Sequence, residues 1–299
     1  MFDFVLRDIV GRHVSLGAVW CRAMNAATSP KLPDYAAPSL LAPDRRLTAE
    51  QVIFFKTNGY LAIDAIMSPA EVARVRGIYD QLFAERSWRA ASDTYDLAGT
   101  GGVEKSAKLP QILTPSKYAP ELLLTQMVAN IKGMARQLLG DEAYMTGDHA
   151  INKPPHESPA TPWHQDEAYW NPAREYHALS VWIPLQPATK QNGCMYFVPG
   201  SHELEVVAHQ PIGNDPRIPG LEIAPGVADL SAAVACELPP GGATFHYSRT
   251  FHYTPPNISD DYRRAYIASA SLPEKVRPVP RIFPWQEAQR QARAGKSVQ

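Results

Sequence analysis

The chain has 299 residues, 45% hydrophobic and 20% charged, ordinary values for a globular protein able to bury a sizeable core. Its formal net charge is -1, which gives no basis for a nucleic-acid or membrane-surface partner. Three scattered cysteines, Cys21, Cys194 and Cys236, rule out a disulfide framework and a Cys-x-x-Cys zinc site, so they read as reduced thiols in a cytoplasmic setting.

The first residues, Met1 to Asp8, carry Asp3, Arg7 and Asp8 and do not read as a signal peptide. No segment approaches the ~20 apolar residues of a membrane span. Val10 to Met24 has Leu16, Val19 and Trp20 at helical spacing, weakened by Gly11 and Gly17. Pro30 to Pro43 is rich in Pro, Ala and Ser. Residues 1–46 are therefore expected to be an arm or linker that wraps the domain or meets a second copy in a homodimer.

The main domain is expected over residues 47–285. Thr48-Ala49-Glu50-Gln51 has capping-box spacing, and Asn58-Gly59 ends the helix it opens. Tyr60-Leu61-Ala62-Ile63 reads as a short strand. Ser68-Pro69-Ala70-Glu71 is a second capping box before Val72, Val75, Ile78, Tyr79, Leu82 and Phe83. Residues 90–113, with Gly99, Gly101 and Gly102, read as a flexible loop, since the Gly-Lys-Ser/Thr ending of a phosphate loop is missing. A third helix is predicted over Glu121–Leu139 with Gly140 as its cap.

Beyond residue 143 the rhythm changes. Short apolar runs at 143–151, 178–185, 194–198, 234–238, 243–251 and 263–270 alternate with Pro/Gly/Asn turns. That pattern predicts an antiparallel sandwich or barrel. Helices first and strands after give an α+β class, with jelly-roll sheets buttressed by N-terminal helices. Residues 286–299 read as a polar, fraying tail.

Thr161-Pro162-Trp163-His164-Gln165-Asp166-Glu167-Ala168-Tyr169-Trp170 holds a His-x-Asp among aromatic residues. On a strand, positions i and i+2 share a face, so His164 and Asp166 would project together. With a third ligand they make a two-His, one-carboxylate triad, which suits non-haem Fe(II) and leaves positions open. The third ligand comes from the nine histidines, and His246 and His252 share one late strand-like stretch, so parity does not separate them. An Fe(II) oxygenase needs two electrons beyond those of a C–H bond, and a 2-oxo acid can supply them. Its far carboxylate needs an anchor, for which a planar arginine is suited. Arg263 and Arg264 both follow His252, and on a strand they face opposite ways.

Five ordered blocks resemble the phytanoyl-CoA dioxygenase family of Fe(II)/2-oxoglutarate-dependent oxygenases. They are Ile151-Asn152-Lys153-Pro154-Pro155, His164-Gln165-Asp166, Val181-Trp182-Ile183-Pro184-Leu185, Asn192 through His202, and His252 through Asn257 to Arg263. The resemblance covers roughly residues 47–272 and implies a double-stranded β-helix (cupin-like) core. It implies iron ligands His164, Asp166 and His252, with Arg263 against the distal carboxylate of 2-oxoglutarate. It places Gln165 and Trp182 beside that cosubstrate, and more loosely His149 and Lys108. Related halogenases lack the carboxylate. Asp166 therefore implies hydroxylation of a small metabolite with O2, releasing succinate and CO2, with desaturation, cyclisation and epimerisation left open.

Tyr169, Trp170 and Arg174, with Tyr176 and His177, are candidates for a substrate lid, and Tyr247 and Arg249 for the pocket wall. Each reads equally well as a packed sheet-edge residue. His202 reads as a turn residue, and His156, His177 and His209 as loop residues. Two other functions compete: a non-catalytic jelly roll holding a metal or small ligand, and a zinc hydrolase.

Overall fold

The computed structural model describes residues 33–85, 93–99, 108–156 and 158–294. The helix expected over Val10–Met24, Cys21, Gly101 and Gly102 lie outside the described residues. Helix α1 (Ala49–Asn58) opens with the expected capping box: Thr48 Oγ1 accepts from Gln51 N at 3.2 Å, and Gln51 Oε1 accepts from Thr48 N at 2.9 Å. Gly59 closes it at φ 80°, where a Cβ would lie 2.3 Å from the His202 ring. Only glycine satisfies both constraints. Strand β1 (Tyr60–Ile63) follows, then helix α2 (Pro69–Glu85), whose Ser68 Oγ accepts from Glu71 N. The Glu71 carboxylate accepts from Gln126 N at 2.7 Å, at the start of helix α3 (Gln126–Leu139). The third helix thus begins five residues later than predicted, after a 3-10 turn over Pro120–Leu124 and an N-cap at Thr125.

Part of the expected loop 90–113 is strand: β2 (Thr94–Asp96) pairs with β3 (Pro110–Leu113). The remaining strands are β4 (Tyr144–Lys153), β5 (Thr161–His164), β6 (Arg174–Glu175), β7 (Ala178–Pro184), β8 (Met195–Phe197), β9 (His209–Pro211), β10 (Leu221–Ile223), β11 (Val234–Cys236), β12 (Ala243–Tyr247), β13 (His252–Thr254), β14 (Arg263–Ser271) and β15 (Lys275–Val276). A seven-stranded sheet runs β1-β12-β7-β14-β4-β3-β2, and a four-stranded sheet runs β11-β8-β13-β5. Their pairings are antiparallel. The fold is therefore mixed helix and sheet.

Alternation along the central strands explains the two interior faces. On β7, Leu179, Val181 and Ile183 join the core that includes Phe55, Val75, Ile131 and Met134 of the helices, while Ser180 and Trp182 face the other way. On β14, Tyr266, Ala268 and Ala270 join the helix-side core, while Arg263, Ile267 and Ser269 face a cavity. A second apolar cluster joins the sheets, with Tyr60, Trp182 and Ala265 from one and Met195, Phe197 and Cys236 from the other. Burying both faces of β7 fits its apolar run, which only Ser180 interrupts.

The described chain ends are tied down, and one expectation about them is corrected. Residues 34–46, read as part of an arm, are tied down: Tyr35 packs on the core and its hydroxyl donates to Asp148, and Asn130 Oδ1 accepts from Asp44 N at 2.9 Å. The tail expected to fray from residue 286 is instead helix α4 (Pro284–Ala294), with Trp285 and Gln289 buried. Its anchor is apolar: Phe283 stacks on Trp285 at 4.7 Å, and both pack with Ala168 and Leu221. No helix among the described residues is long and apolar enough to cross a membrane.

Candidate active site

Strands β5 and β13 pair so that His164 sits directly opposite His252. The ring centroids are 4.0 Å apart. Each imidazole is held by the same local device, its Nδ1 meeting the carbonyl two residues earlier: Pro162 O at 2.7 Å for His164 and Thr250 O at 2.9 Å for His252. With Nδ1–H donating there, each Nε2 presents a lone pair. Both point at Asp166 Oδ1, at 3.8 and 3.5 Å. Ligand atoms of His164, Asp166 and His252 lie within 4.8 Å of one another, a group able to hold a metal ion.

The route to this cluster differs from the strand argument. His164 ends β5, but Asp166 begins a 3-10 turn over Asp166–Tyr169, so the pair is not two positions of one strand. The late stretch also breaks. His246 lies on β12 in the larger sheet, and His252 on β13 in the smaller one. Both reach the site from different sheets, and their rings are 4.3 Å apart.

The other Asp166 oxygen is occupied from the protein side. Ser180 Oγ donates to Oδ2 at 2.7 Å. His246 Nε2 lies 3.5 Å from the same oxygen, and neither His246 nitrogen has a hydrogen-bonding partner among the described residues. Electrostatics favour a metal-ready state. Burial, then the neighbouring His252, pushes His164 down to about 3. Burial and His252 also push His246 down to about 4. Burial alone would raise Asp166, but His252 and His246 beside it hold it well below the usual carboxylate range. Two imidazoles around one ionised carboxylate is the donor set that suits Fe(II) and similar divalent ions.

Gln165, between the two candidate ligands, is turned away from the cavity. Its Oε1 accepts from Val207 N at 2.9 Å, and its Nε2 donates to Arg249 O at 2.8 Å. Its backbone N donates to His209 Nε2 at 3.1 Å, while His209 Nδ1 meets Val207 O at 2.8 Å. The expectation that Gln165 flanks a cosubstrate is therefore corrected: it braces the ligand-bearing turn. His209, read as a loop residue, is buried on β9 and does the same. Sequence spacing carries no sign of it, because its partner lies 44 residues away.

Arg263 is buried and faces the same cavity as the triad, on the strand opposite Trp182's neighbours. Its guanidinium lies 5.2 Å from the Trp182 ring centroid, and its Nε and Nη1 have no hydrogen-bonding partner among the described residues. Burial pushes it down to about 10. Arg264 pairs with Asp80, so of the two arginines it is Arg263 that faces the cavity. Asn257 fixes the turn before Arg263, its Nδ2 donating to Lys153 O, Pro154 O and Asp261 O and its Oδ1 accepting from Ser259 N and Oγ. Lys153, paired in register with Arg263, is a buried amine to which the motif reading gave no site role, and burial and then Arg263 push it well below the usual lysine range. Its Nζ donates to Thr254 Oγ1 at 2.7 Å and Pro255 O at 2.9 Å.

The cavity holds about 800 Å³ and is lined by His164, Asp166, His252, Arg263, Trp182, His149, Tyr169 and Trp170, among others. Tyr169 is pinned there, its hydroxyl accepting from Leu221 N at 2.7 Å. Lys108 is exposed and outside the lining; its backbone N donates to Asp96. Arg174, Tyr247 and Arg249 are also outside it. Arg174 pairs with Glu274, and Tyr247 packs between Phe55 and His202. Arg249 lies near Glu167 and Glu205. Their expected substrate contacts are corrected accordingly: each is claimed by a nearer packing or charge partner. Glu167 itself is buried, accepting from Ser248 Oγ at 2.8 Å and from Arg281 Nη1 at 2.6 Å.

The phytanoyl-CoA dioxygenase (PhyH) family model matches residues 55–265. A probable alpha-ketoglutarate-dependent hypophosphite dioxygenase of Stutzerimonas stutzeri is 26% identical over 232 residues, 75% of this chain and 80% of that protein. The crystal structure of EvdO2 from Micromonospora carbonacea var. aurantiaca complexed with 2-oxoglutarate is 39% identical with a TM-score of 0.70, covering 80% of this chain and 96% of that one. EctD from S. alaskensis with bound Fe is 25% identical with a TM-score of 0.58, covering 81% of this chain and 82% of that one.

Proposed function

We propose, from the premise that the chain belongs to the phytanoyl-CoA dioxygenase family, that it is an Fe(II)- and 2-oxoglutarate-dependent dioxygenase that hydroxylates a small metabolite. The observation that carries this reading is one cavity holding both a His-Asp-His cluster and a buried arginine with two nitrogens that lack a hydrogen-bonding partner among the described residues. A metal-binding protein without turnover, or a zinc hydrolase, gives that arginine nothing to do. The fold we assign is a double-stranded β-helix with the N-terminal helices against its larger sheet.

His164 and His252 would hold the metal through Nε2, each kept in the right tautomer by its own backbone carbonyl. Asp166 would contribute Oδ1, with Oδ2 retained by Ser180. Arg263 would grip the distal carboxylate of 2-oxoglutarate, with Trp182 beneath the guanidinium. Tyr169 and Trp170 would meet the substrate. When bound, Fe(II) would supply the site of O2 activation and 2-oxoglutarate two of the four electrons for its reduction, the substrate C–H bond supplying the other two, so that one oxygen atom leaves in succinate with release of CO2 and the other enters the substrate. Apolar walls such as Ile267, Leu221 and Met195 limit water around the reacting atoms.

The test is anaerobic titration of the apo-protein with Fe(II) and then 2-oxoglutarate, following the visible metal-to-ligand charge-transfer band. The expected result is a band in the wild type that disappears in His252→Ala and weakens strongly in Arg263→Ala. A wild type that gives no band under reducing conditions overturns the proposal.

A further inference from the structure

The C-terminal segment beyond the family match, residues 277–294, forms one wall of the cavity. It grips the turn that carries Asp166. Arg277 N and Arg281 N donate to Ala173 O and Pro172 O, both at 2.9 Å. The Arg281 guanidinium donates to buried Glu167 at 2.6 Å. Trp285 Nε1 donates to Ala168 O at 2.9 Å, and Gln286 Nε2 to Ala168 O and Trp170 O at 3.0 and 2.8 Å. Gln289 Nε2 donates to Ile218 O at 2.8 Å. A helix held at so many points is a fixed wall rather than a loose tail.

The charges on the lining are unequal. Among the described residues Asp166 is its one acidic group, and Arg263, Arg290 and Arg293 are its arginines. Under the proposed function, Asp166 is committed to the metal and Arg263 to the cosubstrate. Arg290 and Arg293 are uncommitted. They sit on α4 at i and i+3, where side chains share a face. Both are exposed, so they belong to the lip of the cavity rather than its floor. Among the described residues Arg290 pairs only with Glu287 on its own helix, with both side chains more than half exposed, a contact worth little in water. A cavity of about 800 Å³ is large enough for a drug-sized ligand beside a small cosubstrate.

We propose that this segment selects the substrate, and that Arg290 and Arg293 together bind an anionic group, a phosphate or a carboxylate, carried by the substrate away from the carbon that is oxidised. This rests on the oxygenase reading above. Two arginine forks converging on one face favour such a group through paired, charge-assisted hydrogen bonds. The apolar and aromatic wall beneath them takes the body of the molecule.

The test uses the full chain loaded anaerobically with Fe(II) and saturating 2-oxoglutarate. Phenyl phosphate, phenylacetate and neutral benzyl alcohol are each titrated by calorimetry, and the charge-transfer band is recorded on every sample. One or both anions are expected to bind at least ten-fold tighter than the alcohol, and the stronger of the two identifies the group. R290E/R293E is expected to lose that preference, while the surface control R45E/R46E keeps it. No anion preference in the wild type, or a preference that survives in R290E/R293E, overturns the proposal. A missing band in the wild type instead defeats the oxygenase reading, so the two failures are told apart.

Discussion

Replacing Arg263 with methionine should separate stability from ligand binding. The Arg263 side chain is 1% exposed, and two of its nitrogens have no hydrogen-bonding partner among the described residues. Burial lowers its pKa from 12.5 to about 10. At ~1.36 kcal/mol per unit, the folded apo-protein disfavours the charged form by roughly 3 kcal/mol. The guanidinium is charged in folded and unfolded chains at pH 7, so this cost is present at every pH below about 10 and is relieved only as pH rises above it. Arg263→Met keeps the aliphatic length and removes the charge. The metal-free variant should therefore match the wild type or exceed it by up to roughly 3 kcal/mol in urea unfolding. The same change removes two charge-assisted hydrogen bonds to a carboxylate, worth ~1.5–3 kcal/mol each. The Kd for 2-oxoglutarate should then rise on the order of 10²- to 10⁴-fold, read from the charge-transfer band. A variant that loses several kcal/mol of apo stability yet still binds 2-oxoglutarate refutes both halves of the argument.

Acid should destabilise the metal-free protein early. His164, His209 and His246 are pushed by burial from 6.5 to about 3, 4 and 4, so the unfolded chain takes up protons that the folded chain refuses. Stability is then full above about pH 6.5 and falls toward pH 4, at up to ~4 kcal/mol per pH unit for three such groups. Urea midpoints that stay flat between pH 7 and 5 would contradict neutral histidines. His252→Ala should abolish tight Co(II) binding, whereas Ser180→Ala, which frees Asp166 Oδ2, should weaken it by ~10–100-fold in calorimetry. Equal losses would show that Ser180 does more than orient the carboxylate. Asn257→Ala strips the side-chain donor from three backbone carbonyls and should cost ~3 kcal/mol, or roughly 6–12 °C in Tm by calorimetric scan. A shift under 2 °C would show that water replaces those bonds.

The sequence carried local signals well and distant ones poorly. The Thr48 capping box and the Gly59 and Gly140 caps were legible because each rests on residues a few positions apart. Strand alternation alone left Arg263 and Arg264 open, since it gives two faces without saying which is buried, and only the family resemblance named Arg263; β14 shows that it is the one facing inward. Glu71 had capping-box spacing, yet its carboxylate is taken by Gln126, because a backbone N–H brought close by tertiary packing competes for the same oxygen. Gln165 and Arg249 were misplaced for a similar reason. Their partners, Val207 for Gln165 and Glu167 and Glu205 for Arg249, lie far away in sequence. The polar composition of residues 286–294 concealed a helix because only Phe283 and Trp285 anchor it apolarly, and its other attachments are amide side chains on remote carbonyls.

The charges left facing the cavity suggest why a dianion, rather than a neutral cosubstrate, fits this site. Apart from its imidazoles, the interior carries the Asp166 carboxylate at one end and the Arg263 guanidinium at the other. A divalent metal at the triad leaves a net charge of two positive, and a dicarboxylate cancels it. Each carboxylate of that dianion then meets a cation, one at the metal and one at Arg263, in surroundings where an unpaired charge is costly. The apo-site therefore favours filling in order. Without metal, a dianion brought to Arg263 also brings its second carboxylate toward Asp166, two like charges in a buried space. Affinity for 2-oxoglutarate should accordingly be at least 100-fold weaker in the metal-free protein than in the Mn(II)-loaded one. Comparable affinities in calorimetry would mean that Arg263 alone holds the ligand and that the triad adds nothing to its binding.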